Sequence, residues 1–186
     1  MRVFVALDIP DAVRRALADL VRRLEPACRG ARWARVEGIH ITLKFIGETP
    51  PEKVQRIREE LSSIRGPQAM EMNFRGTGFF PNAKHPRVFW AGIEAPPALA
   101  DLAANIETRM ETLGIPREQR LFKPHLTLAR FKSEEGLPKL HEALAQLGPQ
   151  EFGQVRAEEF YLYQSVLKPR GAEYTKLETF RFAEQG

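Results

Sequence analysis

Two short motifs recur along this chain at a single spacing. Arg2-Val3-Phe4-Val5-Ala6 resembles Arg87-Val88-Phe89-Trp90-Ala91, and His40-Ile41-Thr42-Leu43 resembles His125-Leu126-Thr127-Leu128; both pairs lie 85 residues apart. A second His-apolar-Thr-Leu among four histidines arises by chance in on the order of one sequence in a hundred of ordinary composition. The chain therefore reads as a duplication, and its fold must give the two histidines equivalent places.

Periodicity supports the same division. Arg2 to Asp8, β-branched and aromatic, reads as a strand, and Asp11 to Leu24 as a helix, with Val13, Leu17, Leu20, Val21 and Leu24 on one face. Ile39 to Ile46 alternates as a second strand, Pro50 opens a second helix carrying Val54, Ile57, Leu61 and Ile64, and Met70 to Phe80 is a third strand. The order restarts at Arg87, with a strand to Glu94, a helix carrying Leu99, Leu102, Ile106, Met110 and Leu113, and a strand around Leu126 to Leu128. A further helix with Leu137, Leu140, Leu144 and Leu147 precedes long strands at Phe152 to Leu167 and Glu173 to Phe182, joined as a hairpin through Lys168-Pro169-Arg170-Gly171.

The expected fold is α+β, of mixed α/β type, in one bilobal domain over residues 1–186. The repeat covers approximately 1–80 and 86–167, with a C-terminal hairpin strand added. Each half is expected to pack helices on the outer face of a mainly antiparallel sheet, and the two sheets to line a central cleft.

At 186 residues and 43% hydrophobic, the chain can bury one substantial core. Lys and Arg number 28 against 24 Asp and Glu, and the pI near 9.4 favours an anionic partner such as nucleic acid. Cys28 is the sole cysteine, which excludes an internal disulfide or a cysteine-based zinc site and points to the cytoplasm. The apolar run at the start meets Asp8 too early for a signal peptide, and no stretch approaches the roughly 20 apolar residues that span a bilayer.

Side chains alternate across a strand, so His40 shares a face with Thr42, and His125 with Thr127, while Ile41, Leu43, Leu126 and Leu128 point to the core. A lone His-x-Thr is an ordinary half-exposed pair. Two at equivalent positions have a joint use. Imidazole has a reference pKa near 6.5, so one ring can accept a proton while another donates one. Hydrolysis of a cyclic phosphodiester needs that pair, because the attacking water loses a proton as the leaving ribose oxygen gains one. The threonine hydroxyls can donate to non-bridging phosphate oxygens. No third ligand at a characteristic spacing supports zinc. His85, in a turn, and His141, on a helix, do not repeat, and the pairs Arg14-Arg15 and Arg22-Arg23 read as a solvated helix face.

The longer motifs, His40-Ile-Thr-Leu-Lys-Phe-Ile-Gly-Glu48 and Lys123-Pro-His-Leu-Thr-Leu-Ala-Arg130, resemble the paired motifs of the 2H phosphoesterases. The similarity covers nearly the whole chain, including Phe79-Phe-Pro81, Pro86-Arg-Val-Phe-Trp-Ala-Gly92 and the segment from Ser165 to Tyr174, and best fits the LigT-like branch, called 2′-5′ RNA ligases. The resemblance implies hydrolysis of RNA 2′,3′-cyclic phosphate ends to 2′-phosphates, without metal or cofactor, and with ligation as the related reverse transfer. It implies His125 as general base and His40 as general acid, with Thr42 and Thr127 on the phosphate. It also implies a monomer whose partners are RNAs with cyclic ends, tRNA fragments among them.

Family position makes Arg130 a phosphate contact, Phe45 a base-stacking residue, and Ser165 and Tyr174 cleft residues. Strand alternation disagrees in part. It puts Arg130 on the Leu126 face and Phe45 in the core with Ile41 and Leu43, and it puts Lys44 on the catalytic face as an alternative cation. Other readings are the same chemistry on another cyclic phosphate or a 2′-5′ linkage, or a non-catalytic protein that binds RNA ends.

Overall fold

The computed structural model describes residues 1–183. Its elements follow as β1 (Arg2–Leu7), α1 (Asp11–Leu24), β2 (Ala31–Trp33), β3 (Ile41–Glu48), α2 (Pro51–Ser62), β4 (Met70–Phe80), β5 (Val88–Glu94), α3 (Pro97–Glu111), β6 (His125–Phe131), α4 (Leu137–Leu147), β7 (Glu151–Ala157), β8 (Glu159–Lys168) and β9 (Gly171–Arg181). The helices start where their sequence dictates. Proline occupies the first turn of α2, α3 and α4, where its missing N–H has no intrahelical partner to lose. Gly136, with φ +83°, supplies the left-handed residue just before α4.

Two antiparallel sheets result, with strand orders β3-β1-β8-β9 and β2-β6-β5-β4-β7. The cores β3-β1-β8 and β6-β5-β4 correspond under the 85-residue shift, as the duplication predicts. The halves nevertheless do not form separate sheets. β4, from the first half, lies beside β5, and β8, from the second half, lies beside β1. Helices are exchanged as well: α1 packs against β7 and α4, while α3 packs against β3 and α2. The expectation that each half covers its own sheet is thus corrected. A three-stranded unit whose third strand pairs with the other copy leaves fewer exposed edges.

The single strand expected over Phe152 to Leu167 is two. β7 pairs with β4 and β8 with β1, so the chain changes sheets at Glu158, between buried Ala157 and buried Phe160. Neither glycine nor proline stands at Glu158 or beside it, so the break is not marked in the sequence. The short β2, beside β6, was not expected either. Among the described residues, no helix is long and apolar enough to cross a membrane.

Candidate active site

One cleft contains both histidines, and His40, Thr42, His125 and Thr127 all line it. His125 opens β6, and His40 immediately precedes β3. Each ring is held by its own backbone. His40 Nδ1 lies 3.0 Å from the Gly38 carbonyl and His125 Nδ1 lies 2.7 Å from the Lys123 carbonyl, positions again 85 apart. A carbonyl can only accept, so both Nδ1 atoms carry hydrogen and both Nε2 atoms remain to take or give a proton.

The surroundings of the two rings differ. The His40 side chain is only 7% exposed, packed among aromatic rings with centroids 5.8 Å from Phe4, 4.6 Å from Tyr163 and 5.2 Å from Tyr174. His125 is half-buried and meets Phe80 edge-on at 5.3 Å. Burial pushes the His40 pKa below the ordinary imidazole value, helped by the Arg14 and Lys176 charges and opposed by the Gly38 hydrogen bond and Asp8. Asp8 Oδ1 is 3.8 Å from His40 Nε2, Asp8 Oδ2 is 2.7 Å from Lys176 Nζ, and the Tyr163 hydroxyl donates to Asp8. Burial and the Asp8 carboxylate push the Tyr163 phenol well above its usual range, so it stays a donor. The shift of 85 carries Asp8 onto Ile93, so this network belongs to one half alone. Sequence reading missed Asp8, Tyr163 and Lys176, because nothing in their spacing ties them to His40.

Paired β-bulges decide where the remaining candidates point. Against β1, Ala6 pairs with Thr42 and Val5 with Lys44, which leaves Leu43 extra. Against β5, Trp90 pairs with Thr127 and Phe89 with Ala129, which leaves Leu128 extra. The extra residues are themselves 85 apart, and beyond each one the alternation is reversed. Phe45 therefore leaves the core: it is 53% exposed, lines the cleft and has the Arg2 guanidinium 5.3 Å from its ring centroid. Arg130, its counterpart in the repeat, joins the His125 and Thr127 face and lines the cleft.

The same bulge overturns Lys44 as the alternative cation. Its side chain turns inward and is 6% exposed, and its ammonium donates to Glu107 Oε2 at 2.9 Å and to the Pro116 carbonyl at 2.7 Å. Tyr174 reaches the cleft, packed so closely on Gly38 that a Cβ there would stand 2.8 Å from its ring. Ser165, opposite Tyr174 and beside Arg2, is not among the residues lining the cleft. Among the described residues, no three His, Cys, Asp or Glu side chains converge as metal ligands.

The family model described as LigT like Phosphoesterase matches residues 7–90 and 93–174, one His-x-Thr motif in each range. The chain belongs to the LigT-like phosphoesterases. Among curated members, the RNA 2′,3′-cyclic phosphodiesterase of Archaeoglobus fulgidus is 35% identical over 180 residues, covering 97% of this chain and 99% of its own. The RNA 2′,3′-cyclic phosphodiesterase of Methanothermobacter thermautotrophicus is 34% identical, with 97% and 98% covered. Among solved LigT-like structures, Escherichia coli LigT complexed with 3′-AMP superposes with a TM-score of 0.81 at 26% identity, covering 98% of both chains. The fold of this chain is thus shared over nearly its whole length with that LigT structure.

Proposed function

We propose that this LigT-like chain hydrolyses RNA 2′,3′-cyclic phosphate ends to 2′-phosphomonoesters, with His40 and His125 as the acid–base pair. The observation that carries the mechanism is the repeated arrangement of two imidazoles in one cleft, each with Nδ1 tied to a carbonyl and Nε2 left available. Water attacks phosphorus and the P–O3′ bond breaks. His125 takes the water proton and His40 gives a proton to O3′. Thr42 and Thr127 hydroxyls and the Arg130 guanidinium hold the non-bridging oxygens, and Phe45 stacks the terminal base. The protein acts as a monomer, since both histidines belong to one chain, and cleaved tRNA is one source of such ends. The lone buried cysteine fits a cytoplasmic setting.

The test is turnover of a nucleoside 2′,3′-cyclic phosphate, with the product identified by phosphorus NMR. A 2′-phosphate appears without added metal and in the presence of EDTA. A 3′-phosphate would reverse the bond assigned to break, and no product at all would sink the reading.

The proton affinity of His40 gives a prediction in pH. A lowered pKa means that His40 is neutral at pH 7 in the free protein. As the acid it must be charged, so its limb is the alkaline one, and in kcat/KM that limb falls below about pH 6.5. A bound phosphate anion favours the imidazolium, so the corresponding limb of kcat lies at higher pH. Asp8→Asn removes a carboxylate that raises the His40 pKa, and the alkaline limb of kcat/KM moves to lower pH. Movement of the acid limb instead would make His40 the base. Phe45→Ala raises KM for the nucleotide by about 5- to 100-fold with little change in kcat, as loss of one stacked base predicts; an unchanged KM would remove Phe45 from the site.

A further inference from the structure

The cleft holds more positive charge than the whole molecule. Leaving aside the buried Lys44–Glu107 pair, its lining includes eleven Arg and Lys against four Asp and Glu, whereas the full chain has 28 against 24, so the residues outside the cleft carry more acid than base. One terminal phosphate needs no such concentration.

Part of this charge forms a connected strip along the segment that crosses from β2 to His40. Arg32 on β2 pairs directly with Arg130 on β6. Like charges placed directly opposite across strands repel, and neither arginine has an acidic partner among the described residues. An anion between them relieves that repulsion. Three residues on, Arg35 extends over the hairpin that joins β8 to β9, where a Cβ on Gly171 would stand 2.2 Å from Arg35 Nη1. Gly171 has φ +121°, so glycine is required there for conformation as well as for space. Lys168 and Arg170 flank that contact, and they too form no ion pair among the described residues. The crossing segment is held by Arg14, itself a cleft-lining residue, whose guanidinium donates to the Val36 and Glu37 carbonyls at 2.8 and 3.0 Å.

We propose that the strip Arg32–Arg35–Lys168–Arg170 binds the phosphates of the RNA strand upstream of the cyclic end, making an oligonucleotide rather than a mononucleotide the preferred substrate. The proposal rests on the function given above and adds a binding track to it. Acidic protein ligands are disfavoured because phosphates spaced along a flexible strand match a line of separate, unneutralised cations.

The experiment compares kcat/KM for a nucleoside 2′,3′-cyclic phosphate with that for RNA oligomers of two, four and six nucleotides ending in the same group, at several salt concentrations. In the wild type, kcat/KM rises roughly tenfold or more with length, and its logarithm falls with log salt by about 0.7 for each phosphate neutralised. Arg35→Ala and the double variant Lys168→Ala, Arg170→Ala keep the mononucleotide rate and lose most of the gain with length, with shallower salt slopes. Affinity for an oligomer ending in a 3′-phosphate, read by fluorescence anisotropy, falls in the same variants whether or not turnover is observed. Absence of a length effect in the wild type overturns the track, as does a length effect that survives both variants or an equal loss on every substrate. Failure to turn over even the mononucleotide, with oligomer binding intact, overturns the catalytic reading and leaves the track standing.

Discussion

His125→Ala lowers kcat/KM for a 2′,3′-cyclic phosphate by roughly 10²–10⁴-fold, and loss of the His40 imidazole does the same. In the proposed mechanism each ring supplies one of two proton transfers that accompany a single displacement at phosphorus, so the pair acts as a unit. The double variant is accordingly little worse than either single one, because a transfer already lost cannot be lost again. The folding controls differ between the two sites. His125 is half-buried with one aromatic neighbour, and its removal leaves the melting temperature nearly unchanged. His40 is packed among three rings, so His40→Gln, which keeps bulk and a polar end, is the better variant there. A folded double variant that turned over substrate at the wild-type rate would end the two-histidine assignment.

The second large effect is on stability. Glu107→Ala leaves the Lys44 ammonium buried with only the Pro116 carbonyl as partner, and breaking a buried pair from one side costs roughly 3–5 kcal/mol. For a chain of this size that corresponds to a fall in melting temperature of about 6–20 °C. Replacing both partners, with Lys44→Met and Glu107→Leu, removes the stranded charge and restores most of the loss. The pair also separates two roles for Lys44. If it held phosphate, Lys44→Met in the Glu107→Leu background would reduce kcat/KM as strongly as loss of a phosphate cation. The buried geometry predicts a change within about threefold, measured well below the melting temperature.

The bulges show how far the sequence could be read and where another step was available. The His-Thr faces follow from alternation alone, because both motifs precede the extra residue. Alternation then fails for Lys44, Phe45 and Arg130, since one unpaired residue on β3 and one on β6 reverse the pattern beyond them. The duplication itself holds the missing signal. Phe45 aligns with Arg130, which has no place in a core, and Lys44 aligns with the small apolar Ala129. Comparing the copies position by position would have turned Phe45 outward and Lys44 inward. No such internal comparison could find the Asp8 network, which lacks a counterpart, or the change of sheets at Glu158, which depends on partners far away in sequence.

The exchange of strands also governs how the cleft can move. The backbone passes from one sheet to the other four times, before and after β2, between α2 and β4, and through Glu158 alone between β7 and β8. Two lobes joined by one linker can swing apart about it. Two sheets laced together at four points, one of them a single residue long, form a stiff frame instead. The distance between the His40 and His125 rings is then set by backbone ladders rather than by a hinge, and the proposed RNA strand would enter and leave sideways along the cleft, without the walls having to part.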